Sequence, residues 1–229
     1  MCYHTNTPKK ENLSKILKPS VEILPYPELE FANGFEQPEV PVMKNDNSNV
    51  VVPWPWSGFI IPGQKFGYTT LNAKSETIFE SKLYGSSIRE RRCLMFVQGF
   101  YEWSEVGVDK RGKKKPYYIT RKDGMPFAMA GIWKDWGMVG GQPHRSMSII
   151  TTDADELMSS LRPETPRATL VLDANCWDQW LDPHATENQI KELFRVYPDH
   201  VFQTIELEHS PLIKKKDQVL KNDQQGSLF

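Results

Sequence analysis

The sequence predicts an α+β fold: a single domain dominated by twisted antiparallel sheet, barrel-like, with a few short helices. Three observations carry that expectation. Seventeen prolines and fourteen glycines among 229 residues cut the chain into short pieces, which favours strands and loops over long helices. Short runs rich in β-branched and aromatic residues recur at uneven intervals. Helical patterns are few and irregularly placed between them, so the chain lacks the regular βαβ alternation of a parallel fold.

Taken in order, Asn12 to Lys18 reads as a short helix. From Pro19 to Trp56 the chain is proline-rich, with a polar stretch at Lys44–Asn49, and is expected to form extended segments and loops. Strands are predicted at Gly58–Ile61, Cys93–Gln98, Tyr117–Thr120, Phe127–Trp133, Ser146–Thr151, Ala168–Leu172 and Val201–Ile205. Between them, Phe79–Arg91 carries apolar residues at helical spacing. Asp153 with Glu156, and Thr186 with Gln189, have the spacing of capping boxes ahead of apolar runs. The basic run Lys110–Lys115 reads as a hairpin turn. Residues 1–213 are assigned to one domain and 214–229 to a polar, flexible tail.

The net charge of −1 gives no global field toward nucleic acid, so any polyanion must be held by a local basic patch. Three cysteines, odd in number, widely spaced and without a CxxC pair, support neither a disulfide framework nor structural zinc. His144, His184, His200 and His209 lack metal-ligand spacing, so no metal or cofactor is expected. The polar opening has no signal-peptide core, and no apolar run reaches the roughly 18 residues of a membrane span. A cytoplasmic protein is the expectation.

Cys2 stands directly behind the initiator methionine. Removal of Met1 would leave a free amine and a thiol two carbons apart. That pair can capture an aldehyde, first as an imine and then as a five-membered thiazolidine. The α-amine has an ordinary pKa of about 7.7–8, so a usable fraction is uncharged at neutral pH. Cys93 and Cys176 read as structural. Two further segments differ from ordinary core: the polar run from Asn72 to Thr77 (NAKSET), and GFYEW from Gly99 to Trp103, where Glu102 sits among aromatic residues. Such a carboxyl is either partly desolvated and suited to proton transfer, or the solvent-facing residue of an alternating strand.

The order Met1-Cys2, NAKSET, RRCL, GFYEW, AGIW and the later TPRATLVL with WDQWL resembles the SRAP family, the SOS response-associated peptidases or abasic-site processing proteins. The resemblance runs from Cys2 to about Leu181. It implies a covalent sensor of abasic sites in single-stranded DNA, acting as a monomer, with the autoproteolytic peptidase activity that the family name invokes. Carried over by motif, Cys2 would be the nucleophile, Asn72 would hold the sugar or the cysteine backbone, and Glu102 would shuttle protons. Lys74 stands where the family has an arginine, keeping the charge without the bidentate fork. Trp103 would offer a face to the lesion. Arg89, in the basic cluster before Cys93, could follow a phosphate backbone, or could be solvated surface.

Two departures matter. His4 replaces the arginine of the family's MCGR opening, and could either grip DNA or supply an imidazole. The family's HxRMP histidine aligns with Thr165, which cannot act as a base near neutral pH. Crosslinking is therefore expected to be slow and to speed up in Thr165→His. Two other readings stay open: an N-terminal-cysteine peptidase or amidohydrolase, and a non-covalent single-stranded DNA-binding module.

Overall fold

The computed structural model describes residues 2–61, 68–108, 112–195 and 199–212. Its strands, in chain order, begin with β1 (His4–Asn6), β2 (Glu22–Ile23), β3 (Ala32–Asn33), β4 (Glu39–Lys44), β5 (Asn47–Pro55), β6 (Asn72–Lys74) and β7 (Arg92–Val97). They continue with β8 (Gly99–Val108), β9 (Lys114–Arg121), β10 (Phe127–Val139), β11 (Gln142–Asp153), β12 (Arg167–Thr169), β13 (Val171–Leu172) and β14 (Phe202–Glu206). The short helices are α1 (Lys10–Ser14), α2 (Gly85–Glu90), α3 (Glu156–Leu161), α4 (Trp177–Leu181) and α5 (Glu187–Glu192).

Two sheets result. One runs β14-β9-β8-β1-β3; the other runs β12-β11-β10-β7-β4-β5-β2, with β13 beside β10 and β6 beside β11. Alternation along β7 shows how they stack. Cys93, Met95 and Val97 point into a core shared with Phe100, Ile119 and Phe202 of the first sheet. Leu94 and Phe96 point the other way, into a core shared with Leu13, Ile88, Trp180 and Ile190 of the helices. Successive side chains of a strand face opposite sides, so the larger sheet is buried on both faces. The sheet-dominated α+β architecture matches the expectation, but neither sheet closes into a barrel. They pack face to face, and their ends include two-residue strands, β2 and β3, too short to pair onward.

The chain crosses from one sheet to the other between Val97 and Gly99, with Gln98 as the bend. Gly99 is required there: a Cβ at this position would lie 2.5 Å from the Tyr118 ring. Arg92, fully buried at the opposite end of β7 from the crossing, spends its guanidinium on backbone carbonyls of Ile88, Arg89, Trp180 and Asp182, fastening α2 and α4 to β7.

Several local expectations change. Gly58–Ile61 is not a strand; Gly58 turns the backbone with φ of 69°, which favours glycine. The helix foreseen over Phe79–Arg91 is only α2, because Phe79 and the turn after it pack on the core instead. The first helix is α1, two residues earlier in onset and shorter than foreseen. The cap of α3 is Asp155, whose carboxylate accepts from Met158 N, because Asp153 is still in β11. The capping box of Thr186 and Gln189 is present. The proline-rich stretch hides the hairpin of β4 and β5. Pro41 and Pro53 pair opposite each other, and Pro41 lies outside the Val42–Lys44 segment that bonds β7. Residues 110 and 111 of the basic run and the 214–229 tail lie outside the described residues.

Candidate active site at the amino terminus

Strand β1 is held between two neighbours, Thr5 opposite Phe100 of β8 and His4 opposite Asn33 of β3. Continuing that register runs Tyr3 and Cys2 alongside Glu102 and Trp103. Cys2 is 1% exposed and lies in the core between the sheets. Its thiol lies 3.6 Å from the His4 carbonyl, a sulfur-donor contact, and the Thr169 side chain reaches the sulfur.

The larger sheet supplies the opposite wall. Strands β10 and β11 pair at Gly131 and Ile149, then splay. The segment 167–172 fills the gap, β12 pairing with β11 and β13 with β10. That insertion delivers Thr169 to Cys2. On the other edge of β11, β6 lies parallel, with Asn72 beside Ile149. The Asn72 amide Nδ2 donates to the Cys2 carbonyl at 3.0 Å. Its Oδ1 is buried with no hydrogen-bond partner among the described residues, leaving an acceptor beside Cys2.

Glu102 is 4% exposed, on the inward-facing side of β8 with Phe100 and Ser104. Burial pushes its carboxyl up, and the positive charges of the chain's amino group and of the Arg162 guanidinium oppose that push. Arg162 Nη1 reaches Glu102 Oε2 at 3.1 Å. Burial, then the negative charge of Glu102, push the Cys2 thiol up to about 12, so it is protonated at neutral pH. The arrangement therefore combines a protonated thiol, a desolvated carboxyl group and an anchored backbone at the second residue.

A family model described as SOS response associated peptidase (SRAP) matches residues 1–210. The chain belongs to the SRAP family. It is 30% identical over 180 residues to the abasic site processing protein YoqW of Bacillus subtilis, a match spanning 73% of this chain and 75% of that protein. It is also 30% identical over 139 residues to the chicken abasic site processing protein HMCES, spanning 52% of this chain and 39% of that longer protein. A crystal structure of a protein from Bacteroides thetaiotaomicron superposes with a TM-score of 0.77 at 26% identity, covering 93% of this chain and 94% of that one.

Of the SRAP motif residues, Cys2, Asn72 and Glu102 converge. Lys74 is exposed, two positions along β6 from Asn72. Trp103 is half-buried and meets the His4 ring edge-on at 4.8 Å. His4 also stacks on Phe31 at 5.1 Å. Burial lowers its imidazole to about 4, so near neutral pH it is an uncharged member of an aromatic cluster rather than a cation. Arg89 donates to the Phe79 and Gly85 carbonyls and pairs with Glu187 at 2.9 Å, joining α2 to α5 with no contact to Cys2, Asn72 or Glu102. Thr165 is exposed and donates to Glu105 Oε1 at 2.5 Å, not to Cys2 or Glu102.

Sequence reading missed Arg162, Glu105 and Thr169. Arg162 follows α3 in an unremarkable LRPET stretch, and nothing in its spacing ties it to Glu102, 60 positions away. Glu105 lies three residues past Glu102, which in a regular strand faces the opposite side. The β8–β9 register breaks between Trp103 and Val108, which lets both carboxylates meet one guanidinium.

Proposed function

We propose that this chain is a sensor of abasic sites in single-stranded DNA, bonding covalently to the damaged sugar through Cys2 once Met1 has been removed. The observation that carries the reading is the convergence on residue 2: Asn72 holds its carbonyl at 3.0 Å, and buried Glu102 stands close enough to perturb its thiol. The relatives named abasic site processing proteins point the same way.

The chemistry follows from those groups. The Cys2 amine adds to the C1′ aldehyde of the ring-opened sugar, and the carbinolamine loses one water to give an imine. The thiol then adds to the imine carbon: the S–H bond breaks, S–C forms, the C=N pair moves to nitrogen, and the proton ends on nitrogen. The net change is loss of one water, with no oxidant or reductant. At each step Glu102 takes a proton at one atom and returns it at another, and its carboxylate faces the cationic imine between transfers. The free Asn72 oxygen accepts from the sugar or the iminium N–H. Lys74 meets a backbone phosphate and Trp103 offers a stacking face. A peptidase reading needs a thiolate to attack an amide. Burial and Glu102 hold the thiol in the wrong protonation state for that, so aldehyde capture is favoured.

The test uses protein whose intact mass shows loss of Met1, incubated with an abasic single-stranded oligonucleotide and run on a denaturing gel. A shifted band is expected, absent in Cys2→Ala and retained in Cys93→Ala and Cys176→Ala. No band in the parent protein would leave a non-covalent binding module as the better account.

A further inference from the structure

Arg162 lies at the centre of a small charged cluster between β8 and the loop after α3. One edge of its guanidinium, Nε and Nη2, faces Glu105 Oε1 at 3.3 and 3.0 Å. Nη2 also donates to Thr165 Oγ1 at 2.8 Å. Glu105 is itself fixed: its second oxygen accepts from the backbone N–H groups of Glu164 and Thr165 at 3.1 and 3.2 Å. Nη1 is left to turn inward, 3.1 Å from Glu102. The three charged side chains are 18%, 6% and 4% exposed for Arg162, Glu102 and Glu105, so solvent screens them little.

We infer that Arg162 is the positioning residue of this site: anchored along one edge by Glu105 and Thr165, its guanidinium orients the Glu102 carboxyl beside Cys2 and favours its ionised form. An arginine suits the role because its planar fork addresses two carboxylates at once and it never gives up its proton. It therefore cannot replace Glu102 as the shuttle, and its effect must pass through Glu102.

The kinetic consequence rests on the reading of Glu102 as proton shuttle. A carboxylate that starts ionised can take the first proton at once, whereas one neutralised by burial must first lose its own. The groups facing Glu102 include Arg162, the Cys2 thiol, the Tyr3 phenol and the chain's amino group. Of these only Arg162 is both permanently charged and bonded on its far side to a second carboxylate.

Infrared spectroscopy across a pH series follows the C=O stretch of protonated Glu102, assigned by its loss in Glu102→Gln. The midpoint is expected to rise by about one pH unit or more in Arg162→Met, with a smaller rise in Arg162→Lys. An unmoved midpoint in a folded Arg162→Met overturns the inference, and so does an unmoved midpoint in Arg162→Lys should the methionine variant fail to fold. This readout needs no DNA, so a parent protein that forms no crosslink would defeat the proposed function while the titration still decides the role of Arg162. In parallel, the acid limb of the crosslinking rate is expected to move up in pH with the infrared midpoint. A rate profile that stays put while wild-type crosslinking proceeds also counts against the inference.

Discussion

The Asn72 side-chain amide donates to the Cys2 carbonyl oxygen at 3.0 Å, fixing the second residue of the chain from a strand 70 positions away. The amide's other atom is a buried acceptor without a partner among the described residues. Removing the donor in Asn72→Ala costs about 1–2 kcal/mol of positioning, roughly a tenfold fall in single-turnover crosslinking rate on an abasic oligonucleotide. Asn72→Asp should be worse, since a carboxylate facing a carbonyl oxygen repels it. Equal rates for all three proteins would show that the contact does not position the nucleophile.

His4 stacks on Phe31 and meets Trp103 edge-on, and its pKa falls from 6.5 to about 4 because burial disfavours the charged ring. Between those values the unfolded chain binds a proton that the folded one does not. The stabilisation is thus complete above pH 6.5 and is lost as pH falls toward 4. The loss is on the order of 2 kcal/mol once partial solvent access is allowed for. Urea denaturation at several pH values measures it. In His4→Phe, which keeps an aromatic ring and removes the proton site, this share of the pH dependence should vanish. A slope identical to the parent's would place the titrating group elsewhere.

The architecture was largely legible because hydrophobic alternation and turn residues act locally. The Cys93–Gln98 run is seen as β7, shifted by one residue, and the Thr186 capping box is found as written. The hairpin of β4 and β5 was hidden because prolines normally exclude a strand. They are tolerated here because Pro41 lies beyond the residues that bond β7, a fact of register that no local pattern carries. The sheet-dominated fold class is as expected, but that its two sheets stay open was not legible, because strand content alone does not say how two sheets meet. At the site, Cys2, Asn72 and Glu102 were visible as motif residues, whereas Arg162 was not. Its relation to Glu102 depends on a register break in β8 and on a loop 60 positions away, and neither leaves a periodic trace.

Thr165 is where sequence and structure lead to opposite expectations. Read as the counterpart of a family histidine, it should give faster crosslinking in Thr165→His. In the fold it is exposed, and its hydroxyl donates to Glu105 at 2.5 Å while accepting from Arg162 at 2.8 Å. An imidazole there removes the bridging oxygen and competes with Arg162 for Glu105, loosening the guanidinium that faces Glu102. Crosslinking in Thr165→His should therefore fall a few-fold, with a stability loss of roughly 1 kcal/mol, the size of an exposed hydrogen bond to a charged group. Thr165→Ser keeps the hydroxyl and should match the parent in both respects. Single-turnover rates and urea midpoints for the three proteins decide the matter. A faster Thr165→His would mean that position 165 reaches the lesion after all, and that the bond to Glu105 gives way when DNA binds.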